Sequence, residues 1–424
     1  MAPRVQVTGH AAKRGIIPRA PTADRLISDI ETWLGAEYAD VIRASRRSEP
    51  EDGPIALHLD LHPAAPEAVI GATDGGAMTL SAETSAVGPG YQTFVNRLGQ
   101  RLAIDHAIEW TVADDAAPAA TPAVSPFDDR PTVERAHLAW LGAHLVGIRD
   151  ARRQLPRGIQ LGLPDGTRYS FDGAIATVLG PRDDAWLEKA AVDPRSAVGI
   201  LPWWADATDA RYLLNRALCL MWTAVRWRPP IDPAERTLLD EVVRLLSRAF
   251  PLDPALPYPW REWSELFELR GVDEPTAADV RERAATLGEE PPLIGYRRRP
   301  VTITHEGWSL EVPGTFAERR TAEEWWGGEA ARSITLAAVE TGSMSGEAFL
   351  QQVAGDLGPD ATAHQAGPVV GRAKLGTDAS SGVEVGVVEG YSAVRGSGAA
   401  IRIVFDDAAD WQWALDMWRA LSPA

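Results

Sequence analysis

The sequence predicts an α+β protein of several domains, with small antiparallel sheets and flanking helices. Three observations predict it. The chain is 424 residues long, too long for a single core, since domains usually hold about 100–200 residues. Short blocks of alternating apolar residues recur between Gly, Pro and Asp turns, as in antiparallel strands. Segments with apolar residues at helical spacing lie beside those blocks. With 45% hydrophobic and 24% charged residues, the composition is that of a folded globular chain.

Residues 1–20 are basic, lack an apolar run and read as a flexible arm, not a signal peptide. An α+β domain is expected over 21–113. It opens with a helix over 22–47, capped by Thr22. Residues 55–62 alternate strictly, with Ile55, Leu57, Leu59 and Leu61 on the core face. Strands over 68–72 and 78–82 flank an Asp74-Gly75-Gly76 turn, and a helix runs from 91 to 110 after Gly88-Pro89-Gly90. Asp114 to Pro126, rich in Ala, Pro and Asp, reads as a linker.

A tryptophan-rich, mostly helical domain is expected over 127–290, ending before Pro291-Pro292. Arg297-Arg298-Arg299 reads as a solvated linker. The last domain, 300–424, shows strands near 301–304, 308–312, 333–339, 383–389 and 399–404. Helices are expected near 345–357 and 408–421.

Within that last domain, His305-Glu306-Gly307-Trp308-Ser309-Leu310-Glu311-Val312-Pro313 makes a hairpin leading into an aromatic–x–hydrophobic–x–hydrophobic–Pro strand. This segment resembles the Mog1/PsbP-like fold, which includes the bacterial DcrB-like proteins. The resemblance covers residues 300–424 and does not extend to 1–290. It implies an amphipathic helix, a strand meander and a closing helix. It also implies a module that binds other proteins and has no catalytic residues to carry over.

Charge and composition narrow the function. The formal net charge of −17 repels phosphate backbones and anionic membrane surfaces, so no nucleic-acid partner is expected. No run of 18 apolar residues exists, so no membrane span is expected and a cytoplasmic location follows. All but three of the 42 basic residues are arginine, a bias that fits a GC-rich bacterial genome. The single cysteine, Cys219, sits in an apolar run and reads as a buried thiol. One cysteine permits no intrachain disulfide and no cysteine-based metal site.

Motifs with a mechanism are missing. There is no G-x-x-x-x-G-K-[ST], no G-x-G-x-x-G after a strand, no G-x-S-x-G and no H-E-x-x-H. No catalytic residue, cofactor or metal is therefore assigned. Two candidate sites remain. His58-x-Asp60-x-His62 alternates, so on a strand the three side chains share one face, about 6.5–7 Å apart in succession. A half-exposed strand shows the same polar face without any chemistry. With Glu83 and with Gly88 and Gly90, whose amides precede a helix and suit an anion, they form the candidate ligand site. The second candidate is a contact surface of Trp203, Trp204, Trp308, Trp325 and Trp326. Neighbouring indoles point in different directions on either a helix or a strand, so each adjacent pair should leave an indole free for a partner.

The leading expectation is a non-enzymatic bacterial intracellular protein that binds another protein through tryptophan-rich surfaces. An adaptor, a chaperone or a component of a secretion or conflict system would fit. The rival is an enzyme or sensor that holds a small ligand or metal on the His58, Asp60 and His62 face.

Overall fold

The computed structural model describes residues 2–12, 21–50, 53–112, 129–152, 159–163, 166–169, 174–271, 274–288, 294–380 and 382–424. The segments expected as the linker Asp114 to Pro126 and the Pro291-Pro292 stop lie outside them. The α+β class holds. The chain forms two units, each discontinuous in sequence. Unit 1 is Met1–Pro164, Phe171–Trp222 and Glu241–Pro259; unit 2 is Asp165–Ser170, Thr223–Asp240 and Trp260–Ala424.

Unit 1 is built on a six-stranded antiparallel sheet. Its strands are β1 (Arg4–Ala11), β2 (Ala44–Ser48), β3 (Ile55–Asp60), β4 (Ala68–Ala72), β5 (Ala77–Glu83) and β6 (Ile108–Val112), in the order β2-β3-β4-β5-β1-β6. Cross-strand partners share a face. Val7 lies opposite Leu80, Leu80 opposite Ile70 and Ile70 opposite Leu57, so one apolar row crosses four strands. Helices α1 (Ala23–Glu37) and α2 (Pro89–Asp105) cover the sheet, α1 on β3 and β4, α2 on β1 and β6. They bury Leu26, Ile27, Ile30 and Leu34 from α1, and Tyr91, Val95, Leu98 and Leu102 from α2. Each buried aliphatic side chain contributes about 1.5–3 kcal/mol.

Three expectations are corrected here. Residues 4–11 are not part of an arm: Val5, Val7, Gly9 and Ala11 alternate inward, and β1 pairs on both sides with β5 and β6. The helix expected over 22–47 closes at Glu37, although Thr22 does cap it, accepting from the Arg25 amide. The Val41 and Ile42 amides both turn back to the Tyr38 carbonyl, and Ala44–Ser48 becomes the edge strand that satisfies one side of β3. The helix expected over 91–110 likewise ends at Asp105. Ala107, at φ 54°, turns the chain into β6.

The remainder of unit 1 is mainly helical. Helix α3 (Arg130–Arg152) packs with α4 (Asp184–Val192) over a small sheet of β7 (Gln160–Leu161), β9 (Ala174–Thr177) and β10 (Arg182–Asp183), around Leu141, Leu145, Ile175 and Leu187. Helix α5 (Ala210–Thr223) and the C-terminal part of α6 (Pro233–Leu252) complete it.

Unit 2 contains two antiparallel sheets. The larger orders β13 (Ala317–Arg320), β14 (Glu324–Glu329), β15 (Arg332–Glu340), β19 (Ser397–Phe405), β18 (Val385–Val394), β17 (Val369–Asp378) and β16 (Thr362–Ala366). Helices α9 (Gly346–Leu357) and α10 (Trp411–Arg419) pack on it. Trp418 of α10 lies over Gly390, where a Cβ would stand 2.6 Å from the indole, so glycine is required. The smaller sheet is β20 (Ser422–Pro423), β12 (Trp308–Val312), β11 (Val301–His305) and β8 (Thr167–Tyr169). Helices α7 (Trp260–Arg270) and α8 (Pro275–Ala285) lie between its β8 and β11 in sequence. Among the described residues no helix is long and apolar enough to cross a membrane.

Candidate functional site: a polar-aromatic cluster beneath an apolar cleft in unit 1

Strand β3 ends at Asp60, so His62 leaves the strand and the expected triplet does not share one face. Leu57, Leu59 and Leu61 are buried as expected. His58 bonds Ser48 and Arg46 of the edge strand and lies 3.2 Å from Glu67. It takes no part in a site with the other two. Asp60 accepts from Arg43 at 2.8 Å. His62 is 1% exposed and stands among three rings, with Tyr91, Trp203 and Tyr212 centroids 6.2, 6.3 and 6.3 Å away.

The polar ends gather charges from distant segments. Arg43 bridges Asp60 and, at 3.1 Å, Glu241 of α6. Arg216 of α5, 2% exposed, donates to the same Glu241 at 3.2 Å and to the Tyr212 hydroxyl at 3.0 Å. Two guanidiniums thus face two carboxylates. Burial pushes the Asp60 carboxyl up from its usual value, further than Arg43 pulls it down. Burial, with Arg216 and Arg43, holds His62 well below its usual 6.5. Burial also pushes the Tyr91 hydroxyl up, with Asp60 and Tyr212 adding to the effect. At neutral pH His62 is therefore uncharged. Its Nδ1 accepts from the Ala64 amide at 3.1 Å, which leaves the proton on Nε2. That Nε2, the Tyr91 hydroxyl, Arg216 Nε and Trp203 Nε1 are buried without a hydrogen-bond partner. Such orphans are rare because each carries a desolvation penalty of roughly 1–3 kcal/mol.

Gly88 and Gly90 have a different role from the expected anion site. Their amides already donate, Gly88 to Thr84 and Gly90 to Trp203. Their missing side chains instead admit the 201–205 segment: a Cβ on Gly90 would fall 2.0 Å from the Ala205 carbonyl and 2.5 Å from the Trp203 ring. Glu83 is exposed at the end of β5, opposite Arg4, and stands apart from the cluster.

Above Trp203 and Tyr212, whose centroids are 4.2 Å apart, opens a cavity of about 360 Å³. Its walls are Val198, Leu201, Pro202, Trp203, Trp204 and Tyr212, with Asp209, Arg211 and Asn215 among its polar members. The segment is fixed from several sides. Asn215 donates to the Pro202 carbonyl at 2.9 Å, Arg130 to the Trp204 carbonyl, and Asp209 accepts from the Tyr212 amide. Trp204 is half-buried on this wall.

The other tryptophans do not form a contact surface. Trp308 and Trp325 are fully buried at 0% exposure, and their indoles donate to Ser397 and Glu318. Trp326 is half-buried on the opposite face of β14, beneath Arg319 at 4.5 Å. Arg297 is a further correction, because it is buried and not a solvated linker residue. Cys219 is buried, as its apolar run predicts, and burial pushes its thiol up.

Among the described residues no group of three or more His, Cys, Asp or Glu side chains is placed to hold a metal ion. No family model matches the chain, and no curated protein matches it. A crystal structure of a protein from Bacteroides thetaiotaomicron VPI-5482 is similar to 28% of this chain at 9% identity, with a TM-score of 0.25. The match spans 45% of that chain and carries no argument about fold or function.

Proposed function

We propose that the protein acts by binding a protein partner, and that the unit 1 cleft receives an apolar side chain of that partner. The observation that carries this reading is the cavity of about 360 Å³ walled by Trp203, Trp204, Leu201 and Pro202. Concave, mostly apolar sites with a few polar groups are where ligands and anchor side chains bind. The resemblance of residues 300–424 to the protein-binding Mog1/PsbP-like group points the same way. So does the net charge of −17, which opposes a nucleic-acid partner. Within this reading the protein is a bacterial cytoplasmic adaptor, chaperone or component of a secretion or conflict system.

Panning a displayed random-peptide library against the full chain, with Trp204→Ala as the counter-target, tests it. Peptides sharing an aromatic or aliphatic anchor should be enriched on the wild type and lost on the variant. No enrichment, or equal enrichment on both, would contradict the reading.

A small-ligand reading has one observation in its favour, the unpartnered buried donors of His62, Tyr91 and Arg216. It expects a melting shift with a small polar metabolite that disappears in Tyr91→Phe. A metabolite panel that gives no shift would remove its support.

A further inference from the structure

Unit 2 contains a second buried charge cluster, and this one does not balance. Among the described residues, Glu318 of β13 is its only carboxylate in direct contact with the two guanidiniums. Its Oε2 accepts from the Trp325 indole at 3.2 Å. Its Oε1 stands 2.7 Å from Arg297 Nη1 and 3.6 Å from Arg226 Nη2. Arg297 also donates through Nε to the Thr223 carbonyl at 2.9 Å and stands 5.9 Å from the centre of the Tyr169 ring. Arg226 is held far more loosely. Among the described residues its 3.6 Å ion pair is its nearest charge partner, and its Nη1 is buried without a hydrogen-bond acceptor. The adjacent Arg228 is satisfied by Glu235 at 2.7 Å, so that pair is neutral.

Two guanidiniums against one carboxylate leave a net charge of +1 in a place largely shielded from water. Burial and the neighbouring Arg297 lower the Arg226 guanidinium to about 10, which still leaves it charged at neutral pH. Burial works to raise the Glu318 carboxyl, but Arg297 and Arg226 together bring it below its usual value. An uncompensated buried cation is costly, and a guanidinium with free donors offers a planar fork that matches a carboxylate. Arg226 keeps 15% of its side chain open to solvent, while its Nη1 is itself closed off, so an anion would have to enter beside the open part of the side chain.

We propose that Arg226 and Arg297 form a binding site for a carboxylate monoanion, which shares the pair with Glu318 and brings the cluster to neutrality. Charge balance selects the class. One added negative charge neutralises the cluster, while a phosphate dianion would invert it.

The test is a chemical-shift titration of the arginine Nε–H signals of the full chain with sodium acetate, against sodium chloride at matched ionic strength. Acetate should give a saturable shift that chloride does not. Arg226→Gln should weaken acetate binding by about tenfold or more, the value of one charge-assisted contact. Glu318→Gln, which removes the competing charge, should tighten it. A parallel titration with inorganic phosphate should give weaker binding than acetate. The proposal is overturned if acetate behaves as chloride does in the wild type, if Arg226→Gln binds acetate as tightly as the wild type, or if phosphate binds more tightly. If Arg226→Gln fails to fold, Glu318→Gln decides, and unchanged acetate affinity there counts against the site.

Discussion

Each unit holds a pair of arginines, one buried and one half-buried, and the two pairs are arranged in opposite ways. In unit 1, Arg43 and Arg216 share Glu241 and Arg43 also holds Asp60, so charge is matched and every ion pair lies between 2.8 and 3.2 Å. In unit 2, among the described residues, Arg226 and Arg297 compete for Glu318 alone, at 3.6 and 2.7 Å. The matched network behaves as scaffold: it fixes α5 and the floor of the cleft. Each leaves a guanidinium nitrogen without an acceptor, Arg216 Nε in the first and Arg226 Nη1 in the second, but only the second also leaves a charge unmatched. Burial of charge by itself does not mark a binding site; the balance of charge separates the two.

The largest test of this contrast is to remove one arginine from each network. Arg216→Met strands the buried Glu241 beside Arg43 alone, and breaking a buried pair costs about 3–5 kcal/mol. Arg226→Met removes a loosely held cation and relieves its repulsion with Arg297, so we expect a loss of about 1 kcal/mol or less. Urea unfolding of both variants measures the difference. Equal losses would erase the distinction between scaffold and receptor.

Acid should also discriminate. His62 and His137, both in unit 1, have folded-state values below their usual 6.5. The unfolded chain therefore binds their protons first. Stability is retained above pH 6.5 and falls as the pH drops below it. We expect unit 1 to lose about 1 kcal/mol or more between pH 6.5 and 5, and His62→Phe to flatten that slope. A slope unchanged in His62→Phe would mean that the residue is not buried neutral. A modest stability effect is expected at Trp204, half-buried at the cleft wall. Trp204→Ala should cost less than about 2 kcal/mol in thermal unfolding, and a larger loss would make the indole part of the core.

Part of this was legible in the sequence. Alternation in 55–61 predicts the β3 core face, and Thr22 the start of α1. His58, Asp60 and His62 read as one strand face, yet only Asp60 and His62 enter the cluster, because the strand stops between them. Arg43 and Glu241 are 198 residues apart, and no local pattern joins them to Tyr91 or Arg216. Tyr212 and Arg216 do carry a signal, a hydrogen-bonding pair four apart on one helix. Trp203-Trp204 reads in the sequence as a contact surface; in the structure Trp203 is buried and Trp204 is half-buried, and both line the cleft. Trp308 has no tryptophan neighbour and alternates with Leu310 and Val312 along a buried strand face. That period-two row marks it as core. The 4–11 strand is hidden in the sequence by four basic residues, Arg4, Lys13, Arg14 and Arg19, and by the lack of an apolar run among the first twenty residues.

The most direct measurement is a binding isotherm of a peptide selected on the full chain, run in parallel with wild type, Trp204→Ala and Arg226→Gln. Binding at the unit 1 cleft predicts that Trp204→Ala weakens the peptide about tenfold or more, as loss of a central aromatic contact does, while Arg226→Gln leaves it unchanged. Equal affinity for wild type and Trp204→Ala would contradict the cleft as the partner site.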